Sequence, residues 1–271
     1  MKDLGLKVEI LLQGVGVLIS WNAILTGLDW FNTKFPDYNT NAVLPFLNFT
    51  PYIIFQPLTI LYGNKFGFNI RIVLPYVVMA AVLAMIPFFV ILLSELGAFV
   101  VMGIGIFISG CVNAISQTSV FGLAGTMPGV YTNLVMVGNG LAGLGINVIR
   151  LICLGIFPDS STGLLESTAV YFIISGTILI VCCFAQLRLM RHPLVKSCIA
   201  GTTSVEAEKD NSVIKYEELS SVSEERPSTD QTQPRFKDVV GSIWEYLFQV
   251  WLCYFITFGM LAHVAIATQV E

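Results

Sequence analysis

The sequence predicts an all-α membrane protein with about seven membrane-spanning helices. Three observations support this fold class: 55% of the 271 residues are hydrophobic, only 12% are charged, and the mean hydropathy is +0.77. Ordinary soluble domains carry about 25% charged residues, so this composition fits a chain that is mostly surrounded by lipid. We therefore expect the lipid bilayer to be a partner of this chain, and we expect no nucleic-acid partner.

Seven apolar runs are long enough to cross a hydrocarbon core of roughly 30 Å at about 1.5 Å per residue. The first run is expected to remain as a mature helix, because no small-residue cleavage site follows it. The runs, in order, are residues 8–28, 42–62, 72–93, 97–120, 130–156, 169–190 and 243–267.

Lysine and arginine predict the orientation of these spans. With the N-terminus in the cytoplasm, nine Lys and Arg residues near the spans lie inside, and Lys34 alone lies outside. Cytoplasmic loops of membrane proteins carry such an excess of basic residues. The sequence thus predicts a cytoplasmic N-terminus and a seventh helix that ends outside.

One polar segment divides the chain into three parts. Residues 193–240 contain nine acidic and six basic residues, many Ser and Thr, and few large apolar groups. Such a composition buries too little apolar surface to offset its ordering entropy, which predicts a disordered cytoplasmic loop. We expect a six-helix bundle at residues 1–192 before this loop, and a seventh helix at residues 241–271 after it.

The number and spacing of the cysteines and histidines do not favour a metal site or a catalytic centre. The six cysteines include no C-x-x-C pair, and the only histidines are His192 and His263. The chain also lacks the G-x-x-x-x-G-K-[ST] element of nucleotide-hydrolysing loops. We expect no enzyme activity, no cofactor, no metal and no ATP-driven step.

Polar and aromatic side chains in the first and fourth spans are candidates for lining a cavity. Trp21 and Leu25 share a helix face, and a tryptophan can stack on a planar ligand; packing of Trp21 against another helix is an equally weighted alternative. Asn113 and Gln117 also share a face, with Gly110 one turn earlier. Hydrocarbon cannot hydrogen-bond an amide, so this pair is expected to face a wet cavity rather than only to link helices.

The fifth span carries one predicted polar stripe. Asn139, Gly143 and Asn147 are each four residues apart, and Arg150 follows three residues later. A cation in hydrocarbon costs about 2.5 kcal/mol or more unless it reaches water or a partner. Because acidic residues are confined to loops and span ends, no partner for Arg150 is evident, and the alternative is that its side chain reaches the outer surface.

An ordered set of motifs runs from the fourth span into the fifth. Residues 117–143 contain Q-x-x-x-F-G-L-A-G-x-x-P-x-x-Y followed by G-x-G-x-A-G, and the first span contains G-x-G-x-L-x-x-W-N. This set resembles the equilibrative nucleoside transporters. The resemblance covers the whole chain, which is similar to the first seven helices of an eleven-helix, MFS-like pair of bundles.

The resemblance implies particular roles for residues of this chain. Trp21 and Leu25 match pocket positions in the first helix, and Tyr52 matches a pocket position in the second. Gln117 matches a glutamine that contacts the nucleoside. The resemblance therefore implies a nucleoside substrate held by these four side chains. Asn113 is a further candidate for substrate binding because it shares a helix face with Gln117.

Other matches concern helix packing and a cytoplasmic loop. Gly138 and Gly143 match glycines where bulk is poorly tolerated, and Arg71 matches an arginine between the second and third helices. Two departures occur: Asn113 stands where many members have glycine, and Asn139 replaces a glutamine. A preference for purines, pyrimidines or nucleobases therefore does not transfer to this chain.

The activity implied by the resemblance is facilitated, bidirectional transport of nucleosides, and in some members of nucleobases. Alternating access around a site between two bundles requires both bundles, so the resemblance also implies that this chain is incomplete and cannot transport alone. We expect the plasma membrane rather than an intracellular membrane, and no obligate protein partner. Two alternatives stay open: a non-transporting truncated regulator, and an MFS-like carrier of another small polar solute.

Overall fold

The computed structural model describes residues 2–157 and 161–201, together with Leu252. These residues form helices and short turns, with no strand among them, which confirms the predicted all-α class. The helices are α1 Lys2–Thr26, α2 Leu28–Lys34, α3 Thr40–Phe49, α4 Tyr52–Tyr62, α5 Phe68–Leu92, α6 Glu95–Gly125, α7 Gly129–Ile156 and α8 Ser161–Leu189, with a 3-10 turn at Gly63–Lys65 between α4 and α5.

Six stretches of helix are long and apolar enough to cross a membrane, and they correspond to the first six predicted spans. The fourth is longer than predicted, since α6 extends over 31 residues. The seventh predicted span, at residues 243–267, lies outside the described residues. The six stretches are Leu4–Thr26, Thr40–Tyr62, Phe68–Leu92, Glu95–Gly125, Gly129–Ile156 and Gly163–Leu189.

The second span is broken, whereas the sequence predicts one continuous helix over residues 42–62. Helix α3 ends at Phe49 and α4 begins at Tyr52, with Pro51 between them. Proline has no backbone N–H, and its ring clashes with the carbonyl four residues earlier, here that of Leu47. Helix α3 therefore ends before Pro51 and α4 begins after it. The Thr50 N–H donates to the Phe46 carbonyl at 3.0 Å at the end of α3.

Helix α1 lies at the centre of the bundle. It packs against α7, α8 and α6, while α5 packs against α6 and α8, and both halves of the second span pack on α6. The buried side of α5 follows helical spacing through Ile72, Tyr76, Met79 and Leu83. Lipid is as apolar as these side chains, so close packing rather than water exclusion holds such helices together.

Two glycine contacts allow helices to approach each other closely. A Cβ built on Gly138 of α7 would lie 3.0 Å from the Cα of Gly14 in α1 and would strike the Leu11 carbonyl. A Cβ on Gly110 of α6 would lie 3.0 Å from the carbonyl carbon of Asn48 in α3. At these crossings the backbones touch, so no other residue type fits without a shift.

The helical structure continues past the boundary predicted at residue 192. Residues 193–201 are helical, although the sequence predicts a disordered loop from residue 193. Val195 of this segment is fully buried, and Leu194 and Ile199 pack against the core. Apolar side chains at helical spacing therefore attach the beginning of the predicted loop to the bundle, while residues 202–240 lie outside the described part of the chain.

Candidate functional site

An aromatic chain joins α1 to the broken second span. The rings of Trp21 and Phe49 are 4.8 Å apart in an edge-to-face arrangement, and the rings of Phe49 and Tyr52 are 5.6 Å apart. Trp21 is 8% exposed, and Leu25, on the same face, is half-buried against the core. The structure thus brings Trp21 and Tyr52 into contact with the same ring, that of Phe49, which was not predicted because a phenylalanine in an apolar run gives no signal.

An amide pair joins α4 to α6. The side-chain N–H of Gln56 donates to the Oε1 of Gln117 at 3.4 Å, and both residues are half-buried. Gln56 was not predicted as a site residue, although it follows Tyr52 by four residues and so lies on the same helix face. Gln117 therefore contributes one of two facing amides.

Asn113 occupies a different environment from Gln117. It is 1% exposed, and Ser116 donates to both its carbonyl oxygen at 3.0 Å and its Oδ1 at 3.3 Å. The two amides share a stripe of α6, as the sequence predicts. Asn113 is buried between helices, whereas Gln117 is half-buried.

The aromatic chain and the amide pair lie at different depths. Ser20, next to Trp21, contacts Ser109 with their hydroxyl oxygens 3.3 Å apart. Gln117 follows Ser109 by eight residues of the same helix, which corresponds to about 12 Å. The polar and aromatic side chains thus form a strip along the bundle rather than one compact cluster.

Six buried amide atoms have no hydrogen-bond partner among the described residues. Two of them are the Nδ2 of Asn48, a residue that is 1% exposed, and the Oδ1 of Asn139. A buried polar atom is normally paired with protein or water, and leaving it unpaired costs about 1–3 kcal/mol. The Nδ2 of Asn48, next to Phe49 of the aromatic chain, marks a place near the strip where water or a polar ligand would gain a contact.

The polar stripe predicted for α7 lies along the edge of the buried face of this helix rather than at its centre. The fully buried face of α7 runs through Gly138, Ala142, Ile146, Arg150 and Cys153. Asn139 and Gly143 are half-buried at the edge of that face, and Asn147 is exposed, with its Nδ2 donating to the carbonyl of Gly143 at 2.8 Å. The buried line is offset by one residue, because packing against α1 selects the face that carries Gly138.

Arg150 has an acidic partner, which the sequence analysis did not find. Its Nη2 contacts the carboxylate of Asp29 at 2.9 Å, and its Nη1 donates to Ser167 at 3.0 Å and Thr168 at 3.1 Å. Its guanidinium carbon lies 4.8 Å from the centre of the Tyr171 ring. The side chain therefore stays inside the bundle rather than reaching the outer surface.

Gly27 explains how Asp29 reaches Arg150. Helix α1 ends at Thr26, and α2 begins beyond Gly27, so Asp29 lies in the first turn of a separate short helix. The hydroxyl of Tyr171 occupies the place that a side chain at Gly27 would take, and it donates to the carbonyl of Ala23 at 3.0 Å. Only a glycine leaves room here for α8 to press against the end of α1.

Arg71 lies in the first turn of α5, next to the 3-10 turn between α4 and α5. Its guanidinium carbon is 4.5 Å from the centre of the Phe68 ring, and it fills the space beside Gly63. Its Nε is buried without a partner in the described part of the chain. Arg71 is therefore packed against this turn and is remote in sequence and fold from the aromatic chain.

The described residues contain no group of three His, Cys, Asp or Glu side chains that could hold a metal ion. The thiol of Cys182 donates to the Leu12 carbonyl at 3.1 Å, beside the side chain of Gln13, which donates to the Cys182 carbonyl at 3.3 Å. These groups connect α1 to α8.

The fold and the strip define a class of protein: a multi-pass helical membrane protein with amide and aromatic side chains inside its bundle. Residues 102–270 match the family model described as nucleoside transporter, and the chain belongs to this family. Both the predicted resemblance and the predicted membrane class are confirmed. The expectation that the chain is not an enzyme agrees with a family of transporters.

Curated relatives are similar over most of this chain. The equilibrative nucleotide transporter 1 of Arabidopsis thaliana is 24% identical over 68% of this chain and 42% of the relative. The equilibrative nucleoside transporter 4 of Homo sapiens is 27% identical over 69% of this chain and 35% of the relative. The equilibrative nucleoside transporter 1 of Homo sapiens is 25% identical over 94% of this chain and 64% of the relative. The chain thus spans less than two thirds of the length of each of these relatives.

Proposed function

We propose that this chain forms the substrate-binding N-terminal bundle of an equilibrative nucleoside carrier. The observation that carries the proposal is the pair of facing amides, Gln56 and Gln117, on the strip that also includes Trp21 and Tyr52. Amides supply both donors and acceptors, which suits the edge of a base or the hydroxyls of a ribose. The aromatic rings supply flat apolar surface for a base.

A neutral nucleoside fits this strip better than a nucleotide, although the relatives carry names of both kinds. A nucleotide brings phosphate charges that proteins usually bind with Arg or Lys. None of the described residues that form the aromatic chain and the amide pair is charged. Arg150 is buried, but it is already paired with Asp29. We therefore assign the substrate to uncharged nucleosides, and nucleobases that present the same edge belong to the same proposal.

The proposed mechanism is alternating access of a site between two bundles. The α1–α7 crossing at Gly14 and Gly138 and the Arg150 contacts hold helices together within the described bundle, so it would move as one body against a second bundle. The seventh helix at residues 241–271 would begin that second bundle, and residues 202–240 would connect the two. We place the N-terminus in the cytoplasm and the protein in the plasma membrane.

Binding of radiolabelled adenosine to the purified chain in detergent tests the proposal. Unlabelled adenosine or uridine should displace the label, whereas AMP should compete at least tenfold less well, because its phosphate has no cation to meet. Changing Gln117→Ala or Gln56→Ala should weaken binding by up to about tenfold, the effect of one lost hydrogen bond to a half-buried amide.

Asn147→Ala is the matched control, since it removes an exposed amide from α7 and should leave binding unchanged. Stronger competition by AMP than by adenosine would contradict the choice of nucleosides. Displacement by sugars alone would favour a carrier of another polar solute. Specific binding that survives both glutamine changes would remove the amide pair from the site.

A further inference from the structure

A groove of about 520 Å³ separates the beginning of α1 from the end of α8. Its walls are almost entirely apolar, formed by Leu4, Val8 and Leu12 on α1 and by Val181 and Phe184 on α8. Leu4 and Phe184 are 66% and 64% exposed, so these side chains face the surroundings rather than the core of the bundle. In a membrane, such a groove is filled by hydrocarbon chains.

The groove ends at the boundary of the membrane. Helices α1 and α8 run in opposite directions: Glu9 lies beside Arg188, and Leu12 lies beside Cys182. The first candidate span begins at Leu4 and the sixth ends at Leu189. The end of the groove that carries Arg188 is therefore at the depth of lipid headgroups.

Arg188 can hold a phosphate at that end. Its Nε contacts Oε1 of Glu9 at 3.1 Å, and its side chain is 77% exposed, whereas that of Glu9 is 14% exposed. The two terminal nitrogens of Arg188 have no partner among the residues that the structure describes. A guanidinium presents two parallel N–H groups to a phosphate, and these are the groups that remain available.

The surroundings of the groove favour a headgroup with net negative charge. Exposed cations lie on the same side of the membrane, and the one acidic side chain described there, Glu9, is already paired with Arg188. The exposed cations are Lys7, Arg191 and Lys196. Each basic residue near a membrane surface attracts anionic lipid by about 1 kcal/mol.

We propose that an anionic phospholipid binds this groove, with one acyl chain between α1 and α8 and its phosphate on Arg188. The site lies on the outer surface of the bundle and involves none of the residues of the amide pair or the aromatic chain. The lipid would contact both helices at the end where Gly5, which has no side chain, leaves a gap between them. This inference is independent of the proposed transport function.

Native mass spectrometry of the purified full chain tests the proposal, with phosphatidylserine and phosphatidylcholine of identical acyl chains as probes. The unchanged protein should retain phosphatidylserine in preference to phosphatidylcholine. Arg188→Gln should reduce phosphatidylserine retention by about tenfold or more, because it removes a charge-assisted hydrogen bond to the phosphate, while glutamine can still donate to Glu9. Arg191→Gln removes the same charge near the same end of α8 but outside the groove, and it should reduce retention by about fivefold at most, the effect of one basic residue at a charged surface. Equal losses in the two variants would show that only nonspecific surface charge attracts the lipid, and this result would overturn the proposal.

Filling the groove is the second test. Gly5 lines the groove and a Cβ there meets no atom within 4 Å, so Gly5→Phe is expected to place its ring in the groove. It should lower retention of both lipids, whereas Gly155→Phe, at another open glycine, should not. Circular dichroism and a monodisperse elution profile would establish that each variant is folded. Unchanged retention in folded Gly5→Phe protein would show that no acyl chain occupies the groove.

Discussion

Arg150 is buried because several neighbours together replace the water that its guanidinium loses. The carboxylate of Asp29 balances the charge, two hydroxyls accept hydrogen bonds, and the Tyr171 ring covers one face. The two charged partners are in unequal environments: the side chain of Arg150 is 5% exposed, and that of Asp29 is 54% exposed. Removing one partner is therefore not equivalent to removing the other.

We predict that Asp29→Asn destabilises the protein more than Arg150→Met does. Asp29→Asn leaves a buried cation without a counter-charge, whereas Arg150→Met places an apolar side chain in the core and leaves Asp29 in contact with water. Asp29→Asn should lower the unfolding free energy by about 1.5–3 kcal/mol, the range for a hydrogen bond to a charged group. The double variant should recover most of that loss. Thermal unfolding in detergent measures all three proteins, and a larger loss for Arg150→Met would contradict this account.

At the scale of helices, the crossing of α1 and α7 depends on one pair of glycines. Gly14 and Gly138 face each other: a Cβ on either glycine would lie 3.0 Å from the Cα of the other and would strike a backbone carbonyl of the facing helix. Gly143 is less restricted, because a Cβ there would lie 3.6 Å from the Oδ1 of Asn22, which is an ordinary contact distance. The resemblance implies poor tolerance of bulk at both positions of α7, whereas the packing restricts Gly138 far more strongly.

We predict that Gly138→Ala destabilises the bundle and that Gly140→Ala does not. Both changes raise helix propensity by about 1 kcal/mol, so their difference reports packing alone. The new Cβ at position 138 would force α1 away from α7, at a cost of about 1–3 kcal/mol, whereas Gly140 faces open space. Thermal unfolding of the two variants side by side is the measurement. Equal stability of the two variants would contradict the close contact between α1 and α7.

At the scale of the whole molecule, the six described spans sort charged residues between the two sides of the membrane. Six basic side chains lie at the end where α1 begins, and Glu9 is the one acidic side chain described there. At the opposite end, Asp29, Asp37, Glu95 and Glu166 are acidic, and Lys34 is basic. The six basic residues are Lys7, Lys65, Arg71, Arg188, Arg191 and Lys196.

This distribution predicts which positions an external reagent can reach. In intact cells, a membrane-impermeant maleimide should label Lys34→Cys above the signal of the unchanged protein. Lys196→Cys should be labelled only after permeabilisation, because cytoplasmic loops carry the excess of basic residues. Labelling of Lys196→Cys in intact cells would reverse the proposed orientation.

Much of this architecture can be predicted from the sequence. The bilayer requires helices of about 20 apolar residues, so hydropathy locates the six described spans, and the spacing of Gln117, Pro128 and Gly138 identifies the family. Spacing along one helix also places Asn113 and Gln117 on a shared stripe. These features depend on residues that are close in the chain.

Contacts between helices were decided by the tertiary structure alone. Asp29 and Arg150 are 121 residues apart, and Gln56 and Gln117 are 61 residues apart. Whether such residues meet depends on how each helix is rotated and where the chain breaks, as at Gly27 and Pro51. Hydropathy constrains that rotation weakly in a membrane, because lipid and neighbouring helices are equally apolar. Close packing determines which face of α7 meets α1. Arg150 is buried because it lies on that face.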